Sequence, residues 1–245
     1  MYQPRTYRNW IKDKDLVTFN VTVKETDLYI RASKNLKSKA LRLVTKYREA
    51  LEKYIEHHPP FLTSLEPISV GDNAPKIVKS MAESARKAGV GPMASVAGAI
   101  AEFVGTELLA FSPEIIVENG GDIFLKSLRK RIIGIYAGKS PLTGTIGLEI
   151  EAGQTPLGIC TSSGTVGHSL SFGKADAVVV LSPSTPLADA AATAIGNLIK
   201  QPADFPKGIK LARSIEGVTG VLIIKDDRVG VWGEVKICNT SNLSP

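Results

Sequence analysis

The chain has 245 residues, of which 43% are hydrophobic and 22% are charged. This composition is typical of a folded globular protein and excludes a largely disordered chain, and no apolar run approaches the ~18–20 residues that a membrane-spanning helix needs. The two cysteines and three histidines exclude a disulfide framework and a histidine-rich metal site.

Alternation of apolar and polar residues marks the strands, and apolar residues at helical spacing mark the helices. In chain order we predict a hairpin of strands 16–23 and 28–32 joined by a turn at 25–27, helices 35–57, 75–88 and 93–111, strands 114–117, 132–136, 146–150, 157–161 and 176–181, a helix 187–200, and a hairpin of strands 218–224 and 229–235. No linker, repeat or change of composition divides the chain, so we expect one α+β domain over 1–245.

The formal net charge of +6 favours anionic ligands, nucleotides among them, because a basic surface attracts them at long range. No aromatic side chains alternate with the basic ones, so a solvated basic face is favoured over a nucleic-acid platform. The first 14 residues are polar and lack the apolar core of a signal peptide. We therefore expect a cytoplasmic protein with no membrane partner, and a homo-oligomer is left open.

The first polar segment of interest is Glu118-Asn119-Gly120-Gly121-Asp122, at the end of a predicted strand. Paired glycines let the backbone turn sharply and bring its N–H groups close to a ligand. An Asn-Gly hairpin turn explains the same residues.

The second segment, 160–171, holds six hydroxyl side chains, and Thr161-Ser162-Ser163-Gly164 begins it after Cys160. Such a density of donors suits phosphate or sugar oxygens, and His168 is its one group that titrates near neutral pH. A Ser/Thr-rich surface loop with an exposed His explains it equally well. Cys160 ends an apolar strand with no adjacent basic residue, so we interpret it as a packing residue.

The third segment is Ala188-Asp189-Ala190-Ala191-Ala192-Thr193. Asp189 and Thr193 are four residues apart and share one helix face, where a carboxylate and a hydroxyl together can coordinate a hard cation such as Mg²⁺. The alternative is an acidic residue favoured near a helix N-terminus by the helix dipole.

Taken together, the order of these segments resembles the ApbE-like superfamily, whose members include FAD:protein FMN transferases. The family pattern has a small-residue "AKG" helix, a strand ending in "N-x-GGD-I", a "TSG" turn, a His-containing segment and an "ADA-x-AT" helix. This chain shows, in that order, Val96-Ala97-Gly98, Asn119-Gly120-Gly121-Asp122-Ile123, Thr161-Ser162-Ser163-Gly164, His168, and Ala188 to Thr193. The resemblance covers about 93–199.

The resemblance implies a T-fold-like α+β domain in which mixed or antiparallel sheets pack with helices. It implies a divalent metal such as Mg²⁺ held by Asp189, Thr193 and a backbone carbonyl near Val96. It also implies FAD or a related nucleotide against the Gly120-Gly121-Asp122 and Ser163-Gly164 turns, with His168 in the place of the catalytic His.

Two departures bear on activity. Ala97 stands where the family has Lys, and the "H-x-x-D-P-x-T-G" segment is absent. We therefore expect a nucleotide-binding protein in which FMN transfer is reduced or lost, and whether it is an enzyme stays open. It looks like a cytoplasmic branch of archaea and anaerobic bacteria. That branch implies the alternative of a non-catalytic accessory protein in sulfur assimilation.

Overall fold

The computed structural model describes Arg8, residues 15–165 and residues 171–241. Eleven strands are found among these residues: β1 (Val17–Val23), β2 (Thr26–Ala32), β3 (Ile115–Asn119), β4 (Asp122–Lys126), β5 (Arg131–Gly134), β6 (Ile146–Ile150), β7 (Leu157–Ser162), β8 (Ala177–Ser182), β9 (Gly220–Lys225), β10 (Arg228–Gly233) and β11 (Ile237–Asn239). Eight of them form one sheet in the order β1-β2-β3-β4-β7-β8-β9-β10, and the other three form a second sheet in the order β11-β6-β5. All neighbouring strands pair antiparallel.

The helices within the described ranges are α1 (Lys37–His57), α2 (Pro60–Thr63), α3 (Lys76–Ala88), α4 (Val96–Leu108), α5 (Thr185–Leu198) and α6 (Phe205–Ser214). The predictions of α1, α3 and α5 are confirmed to within two residues at each end. The predicted helix 93–111 is instead a short 3-10 turn over Pro92–Ser95 followed by α4. The sequence analysis did not predict α2, α6, β4 or β11.

Both predicted hairpins are present. In the first, Val23 pairs with Thr26, so the turn lies at Lys24 and Glu25 instead of 25–27, and Lys24 takes a positive φ of 51°. In the last, β9 and β10 are joined at Asp226 and Asp227, where the sequence predicts the turn.

The molecule has three layers. Alternate residues of the large sheet point to opposite faces. One face packs against the helices in two apolar clusters, the first with α1, α3 and α4 and the second with α5 and α6. The other face packs against the small sheet around the fully buried Leu125, Leu148 and Leu222. This arrangement confirms the predicted α+β class.

Helix length and hydropathy bear on membrane insertion. Within the described ranges, no single helix is both long and apolar enough to cross a bilayer. Residues Lys76–Ala88 and Pro92–Leu108 reach that length and hydropathy only as a pair, which is bent by 103°.

Candidate functional site

Strand alternation places two polar side chains of the large sheet on its helix-covered face. Val117 and Phe124 belong to the helix-side core, and Asn119 and Asp122 have the same parity as these two residues on β3 and β4. Cys160, on the neighbouring β7, also belongs to the helix-side core. The side chains of Asn119, Asp122 and Cys160, at the ends of three strands, therefore lie on the face of the sheet that α4 and α5 cover.

The Gly120-Gly121 pair forms the two-residue turn between β3 and β4, with φ values of 71° and 111°. A hairpin turn is thereby confirmed at this point, but its two central residues are Gly120 and Gly121, and Asn119 is the last residue of β3 instead of a turn residue. A Cβ atom at Gly121 would meet nothing closer than Thr161, at 3.9 Å, so the turn lies beside the end of β7 and still leaves room for a ligand. Two of the three predicted segments are thus neighbours in space.

Asp189 brings the third segment to the same place. Its Oδ2 accepts a hydrogen bond of 2.9 Å from the backbone N–H of Gly98, the third residue of α4. The hydroxyl of Ser95, the N-cap residue of α4, donates instead to the carbonyl of Pro92 at 2.7 Å. A side chain that bonds the second or third N–H of a helix is the usual N-cap. Asp189 therefore caps α4 from another helix.

The charge of Asp189 is destabilised where it lies. Burial raises the pKa of this carboxyl well above its ordinary value, the nearby Asp122 carboxylate raises it further, and the N–H groups of Gly98 and Ala97 oppose the shift. Among the described residues, no Lys or Arg forms an ion pair with Asp189. The side chain keeps partial access to solvent. A bound cation would offset both effects, because it would stabilise the ionised form of the carboxylate.

Two further hydrogen bonds connect the β3–β4 turn to its neighbours. The side-chain amide of Asn119 donates to the carbonyl of Ala97 at 3.1 Å. The Oδ1 atom of Asp122 accepts from the backbone N–H of Thr161 at 3.3 Å. The turn, the first turn of α4 and the end of β7 are therefore held together by side chains that the sequence marks as candidates.

Cys160 is fully buried beneath this cluster. Its thiol donates to the carbonyl of Thr185 at 3.4 Å. Burial raises the pKa of the thiol, and the carboxylates of Asp122 and Asp189 raise it further. The interpretation of Cys160 as a packing residue is confirmed.

Hydrogen bonds to neighbouring residues hold the Ser-Gly turn that follows β7. The N–H of Gly164 donates to the carbonyl of Ala175 at 2.9 Å, and the hydroxyl of Ser163 accepts from the N–H of Thr165 at 3.1 Å. Ser162 lies against α5, since a Cβ atom at Gly196 would be 3.4 Å from its hydroxyl oxygen. The N–H of Gly164 is thus already bonded to the segment that precedes β8.

The remaining predicted residues divide as follows. Thr193 is partly buried on α5, one helical turn beyond Asp189, and Val96 is the first residue of α4. Their predicted role as metal ligands stays a prediction. His168 lies outside the described residues.

Sequence reasoning missed Glu102. Its Oε2 accepts from the backbone N–H of Thr185, the first residue of α5, at 2.6 Å. The signal was available, because Glu102 is the one charged residue in the apolar stretch 96–105.

Two surface clefts lie away from this cluster. One is lined by residues at the end of α1 and in the segment after it, including Tyr54, His58 and Phe61. The other borders α3 and includes Lys79 and Arg86. Neither cleft includes the residues of the candidate site.

Comparison with solved structures identifies the class of fold. A variant of the flavin transferase ApbE from Vibrio cholerae aligns with a TM-score of 0.55 and 16% identity, over 89% of this chain and 97% of that one. The apo flavinyl transferase ApbE from Pseudomonas stutzeri aligns with a TM-score of 0.56 and 13% identity, over 89% and 94%. The fold is thus that of the ApbE structures.

Sequence comparison identifies the family. A family model described as "AbpE bacteria" matches residues 8–213. A "UPF0280 protein" of Methanococcus aeolicus is 42% identical over 91% of this chain and 90% of its own length, and one of Methanocaldococcus jannaschii is 44% identical over 88% and 90%. The chain belongs to the ApbE-like superfamily, in the family to which these archaeal relatives belong.

Proposed function

We propose that this protein binds a flavin nucleotide, or a related nucleotide with a diphosphate, together with a divalent cation. The observation that supports this best is the position of the Asp189 carboxylate, which bonds the first turn of α4 and whose pKa is raised by burial and by the nearby Asp122 carboxylate. The flavin is inferred from the flavin transferases that share the fold.

The donor chemistry at Asp189 fits a hard cation. Carboxylate, hydroxyl and backbone carbonyl oxygens are the ligands of Mg²⁺, which usually keeps only one or two protein carboxylates and completes its shell with water and phosphate. No group of three His, Cys, Asp or Glu side chains that could hold a metal occurs within 15–165 and 171–241. We assign the protein ligands to Asp189, Thr193 and a carbonyl near Val96.

The same place also suits a diphosphate. The N-terminus of α4 carries partial positive charge, and the Gly120-Gly121 turn is open enough for a ligand to approach the backbone. When bound, a divalent cation would neutralise phosphate charge and so hold the nucleotide next to the carboxylates. The residues of the chain then bind and orient the ligand.

We propose binding without efficient FMN transfer. The Lys of the family pattern is Ala97 here, and general acid–base groups are commonly worth ~10²–10⁴ in rate. Incubation with FAD, Mg²⁺ and a threonine-containing acceptor peptide, followed by mass spectrometry, is expected to leave the peptide unmodified. Robust flavinylation would show that the departures from the family pattern do not matter.

Titration calorimetry tests the binding proposal directly. FAD, FMN and ADP are titrated into the full chain with Mg²⁺ and with chelator. We expect Mg²⁺ to tighten FAD and ADP by about 5–150-fold, the usual range of coupling between two ligands, and FMN by less because it has one phosphate. Equal affinities with Mg²⁺ and with chelator would refute the metal bridge, and no binding of any of the three would refute the proposal as a whole.

A further inference from the structure

The first turns of α4 and α5 lie in direct contact. A Cβ atom at Gly98 would lie 2.6 Å from the carbonyl oxygen of Thr185 and 2.9 Å from the Cβ of Asp189, so only glycine permits this approach. Each helix begins with backbone N–H groups that have no partner within the helix, and both N-termini carry partial positive charge. Where two such ends lie side by side, these N–H groups need hydrogen-bond acceptors from elsewhere in the chain.

Each helix supplies such an acceptor to the other. Asp189 of α5 bonds the N–H of Gly98 in α4 at 2.9 Å, and Glu102 of α4 bonds the N–H of Thr185 in α5 at 2.6 Å. The two carboxylates thus cap the helices reciprocally. Burial raises the pKa of Glu102, and the N–H of Thr185 opposes the shift. Within the described ranges, no ion pair of Glu102 with Lys or Arg is found.

Thr185 is the point at which these contacts meet. Its N–H bonds Glu102 and its carbonyl accepts from the thiol of Cys160 at 3.4 Å. A Cβ atom at Gly158 would lie 2.4 Å from its Cα atom, so β7 touches it directly. The first residue of α5 is therefore held by α4 on one side and by β7 on the other.

We propose that Glu102 is a positioning residue of the metal–nucleotide site, which fixes the first turn of α5 against α4 and thereby sets where Asp189 lies. This inference rests on the proposed function. Asp189 and Thr193 follow Thr185 by four and eight residues on the same helix, or roughly 6 and 12 Å along its axis. A shift of the start of α5 moves both oxygens away from the α4 N-terminus.

Three substitutions of Glu102 separate position from charge. Glu102→Gln keeps an oxygen that can accept from Thr185, Glu102→Asp keeps the charge but is one methylene too short, and Glu102→Ala removes both. The control is Glu107→Ala, on the same helix, whose carboxylate pairs with Lys46 at the surface.

Two measurements are made on each variant. The first is the Mg²⁺-dependent gain in ADP affinity. The second is the alkylation rate of Cys160, followed by peptide mass spectrometry because Cys238 is also a free thiol. We expect Ala and Asp to lower the Mg²⁺-dependent gain at least tenfold and to raise the alkylation rate at least tenfold. Gln and the Glu107→Ala control are expected to stay within threefold of wild type in both.

The two possible failures are distinguishable. If wild type shows no Mg²⁺-dependent gain, the proposed function fails and this inference fails with it. If wild type shows the gain and both Ala and Asp retain it, only the role of Glu102 is refuted. A loss in Gln as large as in Ala, with slow alkylation of Cys160, would show that charge matters and position does not. If Ala does not fold, the comparison of Asp with Gln decides.

Discussion

Substitution of Asp189 separates its capping role from its proposed metal role. Asp189→Asn keeps an oxygen that can accept from the N–H of Gly98 but removes the negative charge. Asp189→Ala removes both. The hydrogen bond is 2.9 Å long, and the carboxylate is partly buried near Asp122.

The two variants should differ in stability. Loss of a helix cap costs about 1 kcal/mol and rarely more than ~2, and the unpaired N–H left in a partly buried place adds about 1 kcal/mol. Asp189→Ala should therefore unfold with a free energy about 2 kcal/mol below that of wild type. Asp189→Asn loses a favourable interaction with the helix dipole of about 0.3–1 kcal/mol, but it also loses the burial cost and the repulsion from Asp122. Its free energy of unfolding should lie within about 1 kcal/mol of wild type.

Urea denaturation and calorimetry with ADP measure the two roles on the same samples. Asp204→Asn is the control, because it removes one charge from a carboxylate that bonds the N–H groups of Lys200 and Gln201 and is not part of the site. We expect the Mg²⁺-dependent gain in ADP affinity to vanish in both Asp189 variants and to survive in the control. Equal destabilisation by Asn and Ala would refute the cap, and a full Mg²⁺ effect in Asp189→Asn would refute the metal ligand.

Three further predictions concern stability. Gly98→Ala places a Cβ 2.6 Å from a carbonyl oxygen of α5 and should lower the free energy of unfolding by about 1–3 kcal/mol. The control Gly153→Ala should be neutral, because a Cβ there would meet nothing within 4 Å. Equal effects of the two substitutions in thermal unfolding would contradict the close helix contact. Arg8 bonds two carboxylates and is 8% exposed, so Arg8→Met should cost about 3 kcal/mol in urea denaturation, and a loss below about 1 kcal/mol would show that its ion pairs contribute little. The hydrogen bond from Arg131 lowers the pKa of Asp15 from 3.8 to about 2. Because this pKa is lower in the folded chain than in the unfolded chain, the ionised carboxylate stabilises the fold above the unfolded pKa, and this contribution is lost as the pH falls through the folded pKa. The stability advantage of wild type over Asp15→Asn, about 1–2 kcal/mol after screening, should therefore disappear between about pH 4 and pH 2. An advantage that does not change with pH would refute this prediction.

Local sequence patterns were enough to predict the helix and the hairpins that depend only on residues close in the chain. The helical period of α1 and the alternation in the two hairpins depend on residues close in the chain, and their bounds agree with the structure within about two residues. The order of the polar segments was enough for the family, because each segment is short and contiguous.

Elements that depend on distant partners were not predicted. β11 has three residues and is a strand only because it pairs with β6. α6 contains Pro206 and Gly208, which are poor helix formers. Gly208 is explained by packing, since a Cβ there would lie 2.9 Å from Ile199 and from Ile223. Tertiary contact outweighed local propensity at this position.

The candidate site shows the same division. The sequence alone indicated Asp189 and the Gly120-Gly121-Asp122 turn as polar groups where packing does not require them. It did not show that Asp189 caps a helix that lies 91 residues earlier, or that Glu102 returns the same bond. Those partners are selected by which helix ends the sheet brings together, and burial then raises the pKa of each carboxylate. Neither distance in space nor burial can be read from spacing along the chain, so the sequence determined which residues carry the chemistry and the tertiary structure decided what each one contacts.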